Sequence, residues 1–230
     1  MIAAQPQLYD LSAMSDDDYF LNEKNPEILF TYGYYLVSYY AWLAKCNFPI
    51  SDDLQALYGD NDWRLTHFFY KRRAVYTAQK SETSGTTGIY GYAFRTAEAY
   101  LNRAEAYAGK GDKDKALQDL KTIREKRLKV YEEVQAVTKE DVIRRVREER
   151  RRELSFEFHR WFDLRRWDRP RIEHTFTPDI KQPDVVEKYV LEKDDPAYTL
   201  PLPRSVVEYD PTLVDNPRPQ RENQNVTGEN

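Results

Sequence analysis

The sequence predicts a mainly α-helical fold in which a helical pair packs with long loops and short strands. Three observations predict it. Apolar residues recur at spacings of three and four through Ala97, Leu101, Ala104 and Ala108, and again through Ala116, Leu117, Leu120 and Ile123; this is the period of helices with one buried face. A third run from Lys139 to Trp161 sets Val142, Val146, Leu154, Phe158 and Trp161 among acidic and basic residues, as a long charged helix would. Of 12 prolines, Pro178, Pro183, Pro196, Pro201, Pro203, Pro211, Pro217 and Pro219 lie beyond Pro170, so long helices end there.

Taken in order, residues 1–26 are polar and acidic, with Asp16-Asp17-Asp18 and Asn25-Pro26 serving as turn chemistry. Glu27-Ile28-Leu29-Phe30 is a short apolar run that suits a strand. A helix is expected to start near Ser51 or Asp52 as N-cap, with Leu54 and Leu57 on one face and Asp60-Asn61-Asp62 as its breaker. Trp63 to Gln79 mixes aromatic and basic residues and suits extended chain, and Lys80 to Gly91, rich in Ser, Thr and Gly, reads as a loop. Residues 1–94 thus form an aromatic, loop-rich segment. The helix pair occupies 95–128, turning at Gly111-Asp112. The charged helix falls in 139–168, and 169–230 is expected to wrap over other parts of the molecule.

The helix pair matches the tetratricopeptide pattern through Tyr100, Ala104, Tyr107, Gly111, Ala116 and Leu120, although Leu128 stands near the place of the usual terminal proline. One such unit cannot bury its own face, so a further surface must cover it.

The 230 residues suffice for one large domain or two small ones. Lys and Arg total 35 against 39 Asp and Glu, so there is no basic surplus to attract nucleic acid. No stretch approaches the roughly 18 apolar residues of a membrane span, and the first residues carry no signal-peptide pattern; the protein is then either cytoplasmic or has lost its beginning. Cys46 is the single cysteine, which excludes an intrachain disulfide. With no His partner in view, it is expected to be an inert buried thiol.

His67, His159 and His174 lack metal-ligand spacing, and Asp16-Asp17-Asp18 lacks the alternation and glycine of a calcium loop. No cofactor or metal is expected. The densest charge lies in Arg150 to Trp167. Glu153, Glu157 and Asp163 near His159 invite comparison with a glycosidase carboxylate pair. Acids so closely flanked by arginine are instead held ionised in salt bridges, so no catalytic residue is expected. The aromatics crowd elsewhere: seven of the thirteen residues from Phe30 to Trp42 are aromatic. Tyr34, Tyr35, Tyr39, Tyr40 and Trp42 suit either a packed core or a platform for the flat faces of sugar rings. Trp63 is a further candidate.

Several segments together resemble the SusD/RagB family of outer-membrane nutrient-binding lipoproteins, specifically its C-terminal half. They are Ser51 to Tyr58 with Asn61-Asp62-Trp63-Arg64, the helix Arg95-Thr96-Ala97-Glu98 to Ala106, Ala116 to Arg127, Glu149 to Glu157, His159-Arg160-Trp161-Phe162-Asp163-Leu164-Arg165-Arg166-Trp167, and Thr199 to Pro203 with Asn216-Pro217. Phe158 stands where the family usually has Gly, and the chain is about half a family member's length, without the signal peptide and lipobox cysteine. The resemblance implies an α-helical, tetratricopeptide-containing protein on the outer face of an outer membrane, held by an N-terminal lipid anchor absent from these residues. It implies binding of oligosaccharide or another nutrient and delivery, without bond cleavage, to a SusC-like TonB-dependent transporter. Within this frame Glu153, Glu157, Arg160, Trp161 and Asp163 are a structural motif, the four charged members forming a partly buried network. A tetratricopeptide scaffold that binds peptides and a glycan-acting enzyme are the alternatives.

Overall fold

The computed structural model describes residues 2, 6–31, 49–72, 75–80, 93–176, 184–216 and 224–227. They divide into two compact units, Met1–His159 and Arg160–Asn230. In the first, the leading residues are more than an approach to the fold. A 3-10 turn at Leu11–Ala13, capped by Asp10, buries Leu11, and Met14, Phe20 and Leu21 are buried after it. The strand expected near Phe30 is β1 (Ile28–Thr31). Ser51, rather than Asp52, caps the short helix α1 (Asp52–Gln55), accepting from the Leu54 N–H. Trp63 to Gln79 is not simply extended: a one-turn helix α2 (Arg64–His67) precedes the antiparallel pair β2 (Phe69–Arg72) and β3 (Val75–Ala78). Leu11, Met14, Phe20, Leu21, Ile50, Tyr58, Phe68 and Phe69 form one apolar cluster.

Strand β4 (Ala93–Arg95) returns antiparallel to β1, placing Phe94 opposite Phe30. It runs directly into α3 (Thr96–Lys110), which is followed by α4 (Lys113–Arg124). The turn between these helices follows from Gly111, whose φ of 82° only glycine adopts cheaply. The Gly111 N–H reaches Ala108 O at 3.0 Å and the Asp112 N–H reaches Tyr107 O at 2.9 Å, closing a Schellman motif. Asp112 then caps α4. Small Ala104, Ala108 and Ala116, all buried, let the two helices approach. The surface needed to cover the pair is α5 (Lys139–Glu153), which begins in a capping box between Thr138 and Asp141. Val142 and Val146 pack with Tyr100, Leu101, Leu120 and Ile123 into a second apolar cluster.

Helix α5 stops at Glu153, whereas the periodicity predicted helix through Trp161. Phe156 (φ 62°) and Phe158 (φ 65°) are left-handed and cannot continue it. At Phe158 the backbone keeps the conformation that glycine favours, with a phenylalanine in it.

In the second unit, α6 (Arg160–Arg166) precedes an antiparallel sheet ordered β5 (Ile172–Phe176), β6 (Val185–Leu191), β7 (Gln224–Thr227). The 3-10 turn Pro196–Tyr198 buries Tyr198. Its ring stacks on Trp161 at 5.3 Å, and its hydroxyl donates to Pro170 O. The stretch around helix α7 (Arg204–Tyr209) is closed on itself: Asp215 accepts from the Leu202 N–H and Asn216 donates to Leu200 O, both at 2.8 Å. Helices and short strands thus make a mainly α fold.

Candidate functional site

The buried charges of the first unit converge on the C-terminal end of α5. Glu149 and Glu153 lie four residues apart and so share one helical face, the face that Val142 and Val146 occupy nearer the N-terminus. Arg64 reaches this face from the start of α2. Its Nη1 lies 2.6 Å from Glu149 and 3.2 Å from Glu153, while its Nε and Nη2 grip Asp62 at 2.9 and 2.8 Å. Arg127, just past α4, clasps both oxygens of Glu153 at 2.9 Å, and donates to Glu27 and to Tyr9 O. Arg95, at the junction of β4 and α3, meets Glu27 at 2.6 Å, Glu153 at 3.0 Å, Glu153 O at 3.1 Å and Glu157 at 2.7 and 2.8 Å. Those contacts match the five N–H donors of a guanidinium. Lys80 donates to Glu157 and Glu153 O and lies 4.0 Å from the Phe68 ring centre. All these charged groups are buried.

Such burial is tolerable because each charge is paired and hydrogen-bonded. The same pairing fixes the protonation states. Burial pushes Glu149 up, but Arg64, Arg152 and Arg124 outweigh it and bring the carboxyl to about 2. Burial likewise raises Glu153 and Glu157, and the arginines around them, with Lys80 for Glu157, hold both below the ordinary value. Lys80 is pulled down to about 8, first by burial and then by Arg95 against the opposing pull of Glu157. A general acid for glycoside cleavage needs a carboxyl raised toward neutrality, and these three are displaced the other way. The cluster therefore joins segments rather than moving protons.

The geometry adds partners to the expected four-residue network. Glu153 and Glu157 are buried and are paired with Arg64, Lys80, Arg95 and Arg127. Arg160 is exposed at the start of α6. Asp163 is buried and accepts from Arg166 within the second unit at 3.0 Å. Trp161 holds the stacking place described above. The missed partners left one readable trace: Glu149 and Glu153 continue the stripe of Val142 and Val146 at the same spacing.

Tyr34, Tyr35, Tyr39, Tyr40 and Trp42, and Cys46, lie outside the described residues. In the β1–β4 pair, the half-exposed rings of Phe30 and Phe94 stack at 6.2 Å. Trp63 is half-buried, with Lys129 lying 5.1 Å from its ring centre. Among the described residues, no group of three or more His, Cys, Asp or Glu could hold a metal ion. A pocket of about 390 Å³ lies between Pro6, Gln7, Leu8, Pro26, Thr122, Glu125 and Lys126. Its two rim charges are paired, Lys126 with Asp10 and Glu125 with Lys121.

With this geometry in place, comparison with known proteins gives a consistent result. The family model described as SusD family matches residues 31–218. None of the curated proteins matches the chain. Among solved structures, a SusD superfamily protein from Bacteroides thetaiotaomicron is similar at TM-score 0.67 and 24% identity, over 92% of this chain and 52% of that one. A SusD superfamily protein from Bacteroides vulgatus is similar at TM-score 0.55 and 21% identity, over 95% and 52%. A SusD-like carbohydrate binding protein from Bacteroides vulgatus is similar at TM-score 0.55 and 20% identity, over 84% and 45%. Identities of this size speak for a shared fold. The chain spans about half the length of these structures.

Proposed function

Because this chain belongs to the SusD family, we propose that it binds oligosaccharide, or another nutrient of that kind, at the outer surface of an outer membrane. It hands the ligand to a SusC-like TonB-dependent transporter without cleaving it, and is held at the membrane by an N-terminal lipid. The family match over residues 31–218 carries this proposal. Two observations support it. One structural neighbour is a carbohydrate binding protein, and the buried carboxylates are fixed as ionised partners of arginine rather than poised as acids. Among the described residues, no helix is long and apolar enough to cross a membrane.

The ring contacts to sugar are assigned to Tyr34, Tyr35, Tyr39, Tyr40 and Trp42, because flat aromatic faces combined with polar edges suit pyranose rings. In calorimetric titrations against a glycan panel, replacing Tyr40 and Trp42 with Ala is expected to weaken binding about tenfold or more at an unchanged melting temperature. No reducing sugar is expected to be released by the parent protein. Unchanged affinity in the folded variant removes those rings from the site. Release of sugar makes the protein an enzyme.

A further inference from the structure

The β5–β6 pair of the second unit has two faces of different chemistry, and its register says which residue lies on which. Directly opposed residues share a face, and neighbours along a strand alternate. Glu173 stands opposite Val190 and Thr175 opposite Lys188, and continuing the alternation by one residue adds Arg171 and Glu192 to the same face. Its charges are consumed in one chain: Lys188 lies 2.6 Å from Glu173, Arg171 2.7 Å from Glu173 and 3.3 Å from Glu192. The other face carries Ile172, His174 and Phe176, opposite Leu191, Tyr189 and Glu187. Ile172 and Leu191 are half-buried at one end, whereas Phe176 and Tyr189 are each about half exposed and His174 is exposed beside them. Tyr189 stands on the central strand of the three, where a ring usually finds cover. Cross-strand stabilisation would press the two rings together, yet among the described residues neither ring stacks on another. The Tyr189 hydroxyl donates to Glu187 Oε2. Its proton is therefore committed, which fixes the ring by its polar edge and leaves the phenolic oxygen as an acceptor.

We propose that this face is a binding site for neutral oligosaccharide, with sugar C–H groups lying on Phe176 and Tyr189 and sugar hydroxyls donating to Glu187 and to the Tyr189 oxygen. The two rings are diagonal neighbours, roughly 7–8 Å apart at their bases, so one stretch of saccharide can touch both. His174 supplies a further donor and acceptor. That the ligand is a saccharide rests on the function proposed for the chain; that it is neutral follows from the face itself. Glu187 is the one carboxylate there, and the cations Arg171 and Lys188 are spent on the opposite face. An acidic sugar would bring its charge toward Glu187 with no cation to receive it.

Amide NMR titration of the full, isotope-labelled chain tests the site, with neutral gluco-, xylo- and manno-oligosaccharides and an oligogalacturonide as probes. Saturable shifts are expected at residues 173–176 and 186–190 with at least one neutral probe. Tyr189→Ala is expected to weaken that binding about tenfold at an unchanged melting temperature, and should it not fold, Phe176→Ala carries the same expectation. The chain in which Tyr40 and Trp42 are replaced by Ala keeps the shifts in the sheet. Saturable shifts confined to other residues overturn the sheet site and leave the proposed function standing. No saturable shift at any residue overturns both. Equal shifts in the sheet with the oligogalacturonide overturn its assignment to neutral sugar.

Discussion

One stripe of one helix shows two ways of filling an interior. Along α5, Val142 and Val146 enter the apolar cluster of the three long helices, and one and two turns further on Glu149 and Glu153 enter the charge cluster. The apolar half asks only for volume and period, so many sequences could supply it. The acidic half accepts few. Arg64, Arg95 and Arg127 converge on Glu153, and removing one member leaves the others charged and buried. What differs is specificity: the valines say that something apolar lies opposite, whereas the glutamates say which residues do.

Acid should separate the two halves most strongly. The folded-state values of Glu149, Glu153 and Glu157 are depressed, so their contribution is complete above the ordinary glutamate value of 4.5 and is lost as pH falls through the folded values, about 2 for Glu149. Glu149 alone accounts for something on the order of 3 kcal/mol. Circular dichroism between pH 7 and 2 at fixed ionic strength should show the near-ultraviolet signal fading before the helical one. Loss of both together would mean that the apolar half does not stand by itself.

Glu153→Gln is the next largest disturbance. It preserves shape and removes one charge facing three arginines, and it should cost about 3–5 kcal/mol by urea denaturation at pH 7. Its effect should shrink toward pH 2. Leu120→Ala, in the apolar half, should cost roughly 2–5 kcal/mol with a pH profile parallel to that of the parent. Similar pH profiles for these two variants would break the comparison. Thr138→Ala, which removes the cap at the distant end of the same helix, should cost only about 1 kcal/mol, read as a small shift in the same urea curve.

The contrast also explains what the sequence could disclose. The helix pair and the start of α5 were readable because their signals are local: a repeating period and a glycine at the turn. The end of α5 was not, because Leu154, Phe158 and Trp161 keep a helical pattern while the backbone leaves the helix at Phe156 and Phe158. The leading residues contribute Leu11, Met14, Phe20 and Leu21 to a core without any period to announce it. The ion partners were hidden by distance along the chain. Glu153 meets Arg127, Arg95 and Arg64 at separations of 26, 58 and 89 residues, whereas the local pairs of the arginine-rich run, such as Arg144 with Asp141 and Glu148, are exposed. The family resemblance was legible for a different reason, since its motifs bring together residues whose contacts are long-range. The aromatic candidates of 34–42 remain a proposal resting on composition.

The span of the charge cluster, from Glu27 to Glu157, also orders events on the ribosome. A growing chain offers Arg64, Arg95 and Arg127 while Glu149, Glu153 and Glu157 are still to be added, so of the cluster's carboxylates only Asp62 and Glu27 are at hand to pair with them at first. The α3–α4 hairpin takes its turn and period from its own residues and can begin to form early, although α5 must arrive to cover its apolar face. Translation thus completes the ionic interior of the first unit only with Glu157, and a chain halted before it would carry arginines still short of part of their carboxylates.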